Sequence, residues 1–167
     1  VIAGSGDGNA YIIDRTGKEI KKTLNLGDWI RSIGVTVPES GKPIRVVFGT
    51  EDGKLFIFRY DGSDYVQEYD AIKSTHSVRA VWAADFDGDG DLDFYSFTYE
   101  GDFPGVYYEN TGNAHNPEFT LSEDYFPFIN TPGSDYYFPL FVDIDSDGDL
   151  DCFVWYWQDY DYGMTLD

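Results

Sequence analysis

The 167-residue chain is 42% apolar and 19% aromatic and carries a net charge of −20. That is enough apolar surface for one core, but the acidity repels nucleic acid and anionic membranes, which excludes both as partners. No run of about 18 apolar residues occurs, so no membrane insertion is expected, and residues 1–20 lack the basic start and apolar stretch of a secretory signal, which places any export signal outside this sequence.

The first elements in chain order form a repeat. Val1-Ile-Ala-Gly-Ser-Gly-Asp-Gly through Gly17 lies without a gap over Val46-Val-Phe-Gly-Thr-Glu-Asp-Gly through Gly62, at an offset of 45 residues. Each copy reads as a short apolar strand, an Asp-Gly turn (Asp7-Gly8, Asp52-Gly53), a second strand and a closing glycine turn. A period of about 45 residues belongs to propeller blades.

A second repeat follows in the acidic half. Ala84-Asp-Phe-Asp-Gly-Asp-Gly-Asp-Leu-Asp-Phe94 lies over Val142-Asp-Ile-Asp-Ser-Asp-Gly-Asp-Leu-Asp-Cys152 at an offset of 58 residues, each between an apolar and an aromatic run. With Val46–Gly49 placed on Phe94–Phe97 and on Cys152–Trp155, the chain reads as an all-β propeller of about three and a half four-stranded blades. Residues 1–25 are a blade lacking its first strand, 30–71 a blade without an acidic loop, 78–122 an acidic blade, and 136–167 the start of another, the extra length falling around Phe126–Ser134. Such a count does not close a ring, so the reading expects part of a longer propeller, or a ring completed by another chain.

Charge sharpens the site. All eleven Lys and Arg lie at or before Arg79, balanced there by eleven Asp and Glu, whereas residues 80–167 hold twenty carboxylates and no Lys or Arg. A hard divalent cation is the simplest remedy for that repulsion, and calcium takes six to eight oxygens at about 2.3–2.6 Å. In the first loop the ligands are Asp85, Asp87, Asp89 and Asp93, with Gly90 at the bend and the carbonyl of Asp91 as a further donor. In the second they are Asp143, Asp145, Asp147 and Asp151, with Gly148 and the carbonyl of Asp149. Two calcium sites are therefore expected. An EF-hand needs a Glu at position 12 and flanking helices, but that position holds Ser96 and Val154 in aromatic, strand-like runs. Magnesium fits less well, since it keeps a small octahedral shell, and no Cys or His stands near enough for a softer metal. The corresponding loop of the 30–71 blade, Thr36 to Ile44, keeps Gly41 but has lost the carboxylate pattern and should bind no metal.

Together with Val106-Tyr-Tyr-Glu-Asn-Thr-Gly112 and Pro117-Glu-Phe-Thr120, these loops resemble the FG-GAP/VCBS repeat family, the calcium-loop propeller blades also found in integrin α-subunit heads. The resemblance covers residues 78–157 and extends more loosely to 30–71. It implies a secreted or cell-surface protein with a role in adhesion, ligand binding or assembly. Gly4-Ser-Gly-Asp-Gly-Asn-Ala-Tyr11 also resembles the repeats of quinoprotein propellers, a likeness confined to the strand-turn-strand.

No catalytic constellation accompanies the motifs. His76 and His115 lie in polar loops away from any nucleophile motif, and the lone Cys152, in an apolar run, is expected to be buried. Half of each aromatic run should pack between sheets, leaving the tyrosines of Gln158–Tyr162 as the best candidates for an exposed binding surface. The reading is a non-enzymatic extracellular module for a protein or glycan ligand. Its alternatives are a propeller domain of a secreted carbohydrate-active enzyme of the polysaccharide lyase type, or a subunit of an extracellular filament, and a homo-oligomer is a candidate assembly.

Overall fold

The computed structural model describes residues 1–36, 43–74, 76–97, 105–113, 117–122, 136–142, 144–145 and 151–157. Every regular element among them is a strand, and no helix there is long and apolar enough to cross a membrane. The chain divides into two compact units, Val1–Glu123 and Asp124–Asp167.

The first unit holds three antiparallel sheets, each built from consecutive strands. The first sheet runs in the order β1 (Ile2–Gly4), β2 (Asn9–Ile13) and β3 (Ile20–Asn25). The second runs β4 (Ile30–Val35), β5 (Arg45–Thr50), β6 (Lys54–Tyr60) and β7 (Tyr65–Gln67). A two-residue strand, β8 (Ile72–Lys73), just beyond the 30–71 segment, also pairs with β6 through Leu55↔Ile72 and Lys54↔Lys73. The third sheet runs β9 (Ala80–Ala84), β10 (Asp93–Phe97), β11 (Gly105–Asn110) and β12 (Phe119–Ser122). Meanders of this kind follow from alternating apolar strands joined by tight turns. The two Asp-Gly turns expected from the 45-residue repeat join β1 to β2 and β5 to β6. Their glycines take φ of +81° at Gly8 and +80° at Gly53, a conformation that costs a side chain energy but glycine almost none. A Cβ at Gly53 would also stand 2.7 Å from the His76 carbonyl oxygen.

The pleat explains how three sheets make a core. Successive residues of β5 point to opposite faces. Val46 and Phe48 join Ala10 and Leu24 of the first sheet, and Leu26 just after it, in one apolar cluster, while Val47 joins Val78, Val81, Phe94 and Tyr108 in another. Covered on both faces, β5 is therefore buried at every position after Arg45, and its Val46, Val47 and Phe48 are at most 1% exposed. The strand β10 is likewise buried throughout.

The second unit contains the pair β13 (Tyr136–Val142) and β14 (Asp151–Trp157), antiparallel with Leu140 opposite Phe153 and Val142 opposite Asp151. Cys152, expected in the core, is half-buried instead, and burial pushes its thiol up. The Phe126–Ser134 and Gln158–Tyr162 segments, His115, and most of the β4–β5 loop, including Gly41, lie outside the described residues.

Candidate metal centre

The acidic loop Asp85–Asp93 connects β9 to β10, and the pairing of Ala84 with Asp93 closes its base. Two glycines shape it: Gly88 and Gly90 take φ of +81° and +96°, so the backbone curls back on itself twice in three residues. The curl turns the loop's own amides toward its carboxylates. Gly88 N–H donates to Asp85 Oδ1 (2.8 Å) and Gly90 N–H to Asp85 Oδ2 (2.9 Å). Asp89 N–H donates to Asp87 Oδ1 (3.1 Å), and Asp91 N–H to Asp89 Oδ1 (3.0 Å). With their rotamers fixed in this way, Asp85, Asp87 and Asp89 each bring one oxygen to a point where all three lie within 4.8 Å of one another. Two oxygens on opposite sides of one calcium ion stand about 4.6–5.2 Å apart, so this spacing suits a shared cation of that size.

The remaining expected ligands stand differently. Asp91 turns its side chain inward, and its buried Oδ1 has no hydrogen-bond partner. Burial, first, and then the charges of Asp89, Asp87 and Asp85 push its carboxyl above the ordinary range, only partly countered by the Asn110 carboxamide. Asp93 is fully buried and takes backbone donors on both oxygens, Asn110 N–H on Oδ1 (2.8 Å) and Phe86 N–H on Oδ2 (3.0 Å). Burial raises its carboxyl despite those two amides and the Tyr107 hydroxyl, which pull the other way. The tyrosine, 2% exposed, is pushed up in turn by burial and by Asp93. Asp93 thus ties the loop to β11, while Asp85, Asp87 and Asp89 form its more open part.

The donor set is oxygen throughout, the chemistry a hard divalent cation prefers, and the partnerless Asp91 oxygen is a cost that positive charge nearby relieves. The residues fit calcium.

Part of the second loop repeats the design. Asp151 Oδ2 accepts Ile144 N–H at 3.0 Å, the counterpart of Asp93 and Phe86 at the same seven-residue separation. Asp145 is exposed, and Asp143, Asp147 and Asp149 lie outside the described residues. Sequence reasoning missed two residues at the first site, Tyr107 and Asn110. Both fall in the Val106–Gly112 motif, but their contact with Asp93 depends on the β10–β11 register, Phe94 opposite Tyr108, which no local pattern states.

The sequence finds no match among curated proteins. Residues 41–96 match the family model of the FG-GAP-like repeat, a span that runs from the loop before β5 through the whole Asp85–Asp93 loop into β10. In that segment the chain carries an FG-GAP-like repeat, in keeping with the FG-GAP/VCBS resemblance of its motifs.

Proposed function

We propose that this chain is a calcium-stabilised module of the β-propeller type, placed outside the cell or at its surface, which presents loops to a protein or glycan ligand and performs no catalysis itself. The observation that carries the reading is the convergence of Asp85, Asp87 and Asp89 within the FG-GAP-like repeat. Asp85, Asp87 and Asp89 hold the cation through side chains, the Asp91 carbonyl adds a donor, and Asp93 closes the loop onto β11. Asp143, Asp145, Asp147, Asp149 and Asp151 hold a second ion in the same pattern, supported by the matching Asp151 to Ile144 bond. A bound ion supplies the positive charge that residues 80–167, with no Lys or Arg, do not supply themselves.

The role is structural. The 30–71 segment forms its sheet although the sequence between β4 and β5 lacks the carboxylate pattern, which supports an ion that pins a long connection rather than creating the fold. Asp87 and Asp89 are exposed, which suits the weak, roughly 0.1–1 mM sites of extracellular modules better than the tight sites of cytosolic buffers. Calorimetric titration of chelator-stripped protein with calcium tests the reading. Two sites and a raised melting temperature are expected; no heat at millimolar calcium would refute it.

A further inference from the structure

Each of the three sheets of the first unit ends in an outer turn, and each turn is held by one Asp or Asn side chain. Between β2 and β3, Asp14 Oδ1 accepts Lys18 N–H (3.0 Å) and Glu19 N–H (3.4 Å). Between β6 and β7, Asp61 Oδ1 accepts Ser63 N–H (2.9 Å) and Asp64 N–H (2.8 Å). Between β11 and β12 the same work falls to Asn110, whose Oδ1 accepts Gly112 N–H (3.1 Å) and Glu118 N–H (3.0 Å). The first two are carboxylates on the surface, but the third is a neutral amide, 2% exposed.

The neighbours of Asn110 explain the exchange. Its backbone N–H donates to Asp93 Oδ1, and its carboxamide stands beside Asp91. A carboxylate at this place would face two others in a buried setting, whereas the amide supplies the same acceptor oxygen and adds a donor. One residue therefore touches the acidic loop on one side and both ends of the outer turn on the other.

We propose that Asn110 is a positioning residue for the Asp85–Asp93 loop, and that through it a cation in the loop and the order of the β11–β12 turn form one coupled unit. The inference rests on the calcium reading given above. When Asp85, Asp87 and Asp89 close on an ion, the base of the loop at Asp91 and Asp93 stiffens, Asn110 is held between them, and its Oδ1 stays aimed at Gly112 and Glu118. The coupling is reciprocal: a turn that has lost Asn110 leaves the loop less well arranged to bind. The Gly112 and Glu118 amides thereby become calcium-responsive.

The test combines calcium affinity with residue-resolved amide exchange. In the wild type, calcium should slow exchange at Gly112 and Glu118. Asn110→Ala should lose that response and weaken calcium roughly 10-fold or more, the usual effect of removing a group that orients metal ligands. Thr111→Ala removes the hydroxyl that donates to the Glu118 carbonyl in the same turn (3.0 Å) and should leave affinity unchanged. An Asn110→Ala protein that binds calcium as tightly as wild type, or wild-type amides that ignore calcium, would overturn the coupling alone. Wild type that binds no calcium would overturn the loop reading and the coupling with it. Should Asn110→Ala not fold, the wild-type exchange response decides.

Discussion

The second and third sheets of the first unit share a strand order but stabilise it with opposite charge chemistry. Where β5 begins with Arg45, β10 begins with Asp93 at the aligned position. In the second sheet the charge is answered within the protein: Arg45 Nε donates to Glu68 Oε2 at 2.6 Å, and Arg59 Nε reaches Glu68 Oε1 at 3.1 Å. The Arg45 and Glu68 side chains are only 15% and 13% exposed, so solvent screens this bridge less than a surface pair. In the third sheet the sequence supplies no Lys or Arg, and Asp85 and Asp93 are answered by backbone amides, while Asp85, Asp87 and Asp89 stay clustered. The comparison teaches that the meander itself needs neither device. Each sheet requires only that charge introduced at its rim be answered, and on the proposed reading the acidic sheet draws part of that answer from an ion in solution.

The comparison is broken most sharply at the loop. Asp89→Ala should remove up to about 2.7 kcal/mol of stabilisation at free calcium about 100 times the wild-type dissociation constant, and little in chelator. Melts in both conditions check this, and equal losses would assign the residue to turn geometry. Gly53→Ala should cost about 1–3 kcal/mol regardless of calcium, because φ is +80° and the new methyl meets the His76 carbonyl. A calcium-dependent loss there would mean that the two sheets are not separate in their chemistry. Glu68→Gln should cost about 1–2 kcal/mol, equal with and without calcium, since it leaves Arg45 and Arg59 without their shared anion. Urea titrations read the difference.

The smallest effect concerns pH at the outer turn of the second sheet. Amides of Asp64 and Ser63 hold the Asp61 carboxyl at about 2, below its ordinary 3.8. Because the folded value is the lower one, this contribution is fully present above the ordinary value and is lost as pH falls through the folded value. The melting temperatures of wild type and Asp61→Ala should therefore differ slightly near neutrality and converge toward about pH 2. A gap that persisted in acid would trace to packing instead of charge.

Much of this was legible in the sequence, for identifiable reasons. The Asp7-Gly8 and Asp52-Gly53 hairpins announce themselves because positive φ demands glycine, and the acidic loop because its carboxylates recur at every second position around two glycines. What stayed hidden depends on register. Glu68 meets Arg45 and Arg59 only once β5, β6 and β7 are aligned, with Arg45 opposite Arg59 and Arg59 opposite Val66. The short β8 carries too little pattern to be seen beside β7. Asn110 stood within a quoted motif, yet nothing in its neighbours along the chain indicates that its backbone N–H lands on Asp93. Sequence reasoning also gave Asp91 the role of a carbonyl donor and did not foresee that its carboxyl would be turned inward with one oxygen, Oδ1, lacking a hydrogen-bond partner.

Residue-resolved amide exchange with and without calcium tests the central claim most directly, because it reads both sheets in one experiment. The account predicts that calcium slows exchange at Phe86, Gly88 and Gly90, whose N–H groups hold the Asp93 and Asp85 carboxylates, and at Ile144 beside Asp151, while Ser63 and Asp64 in the second sheet's outer turn remain unchanged. Equal slowing in both sheets, or none in either, would contradict the view that one sheet is closed by ion pairs and the other by a cation.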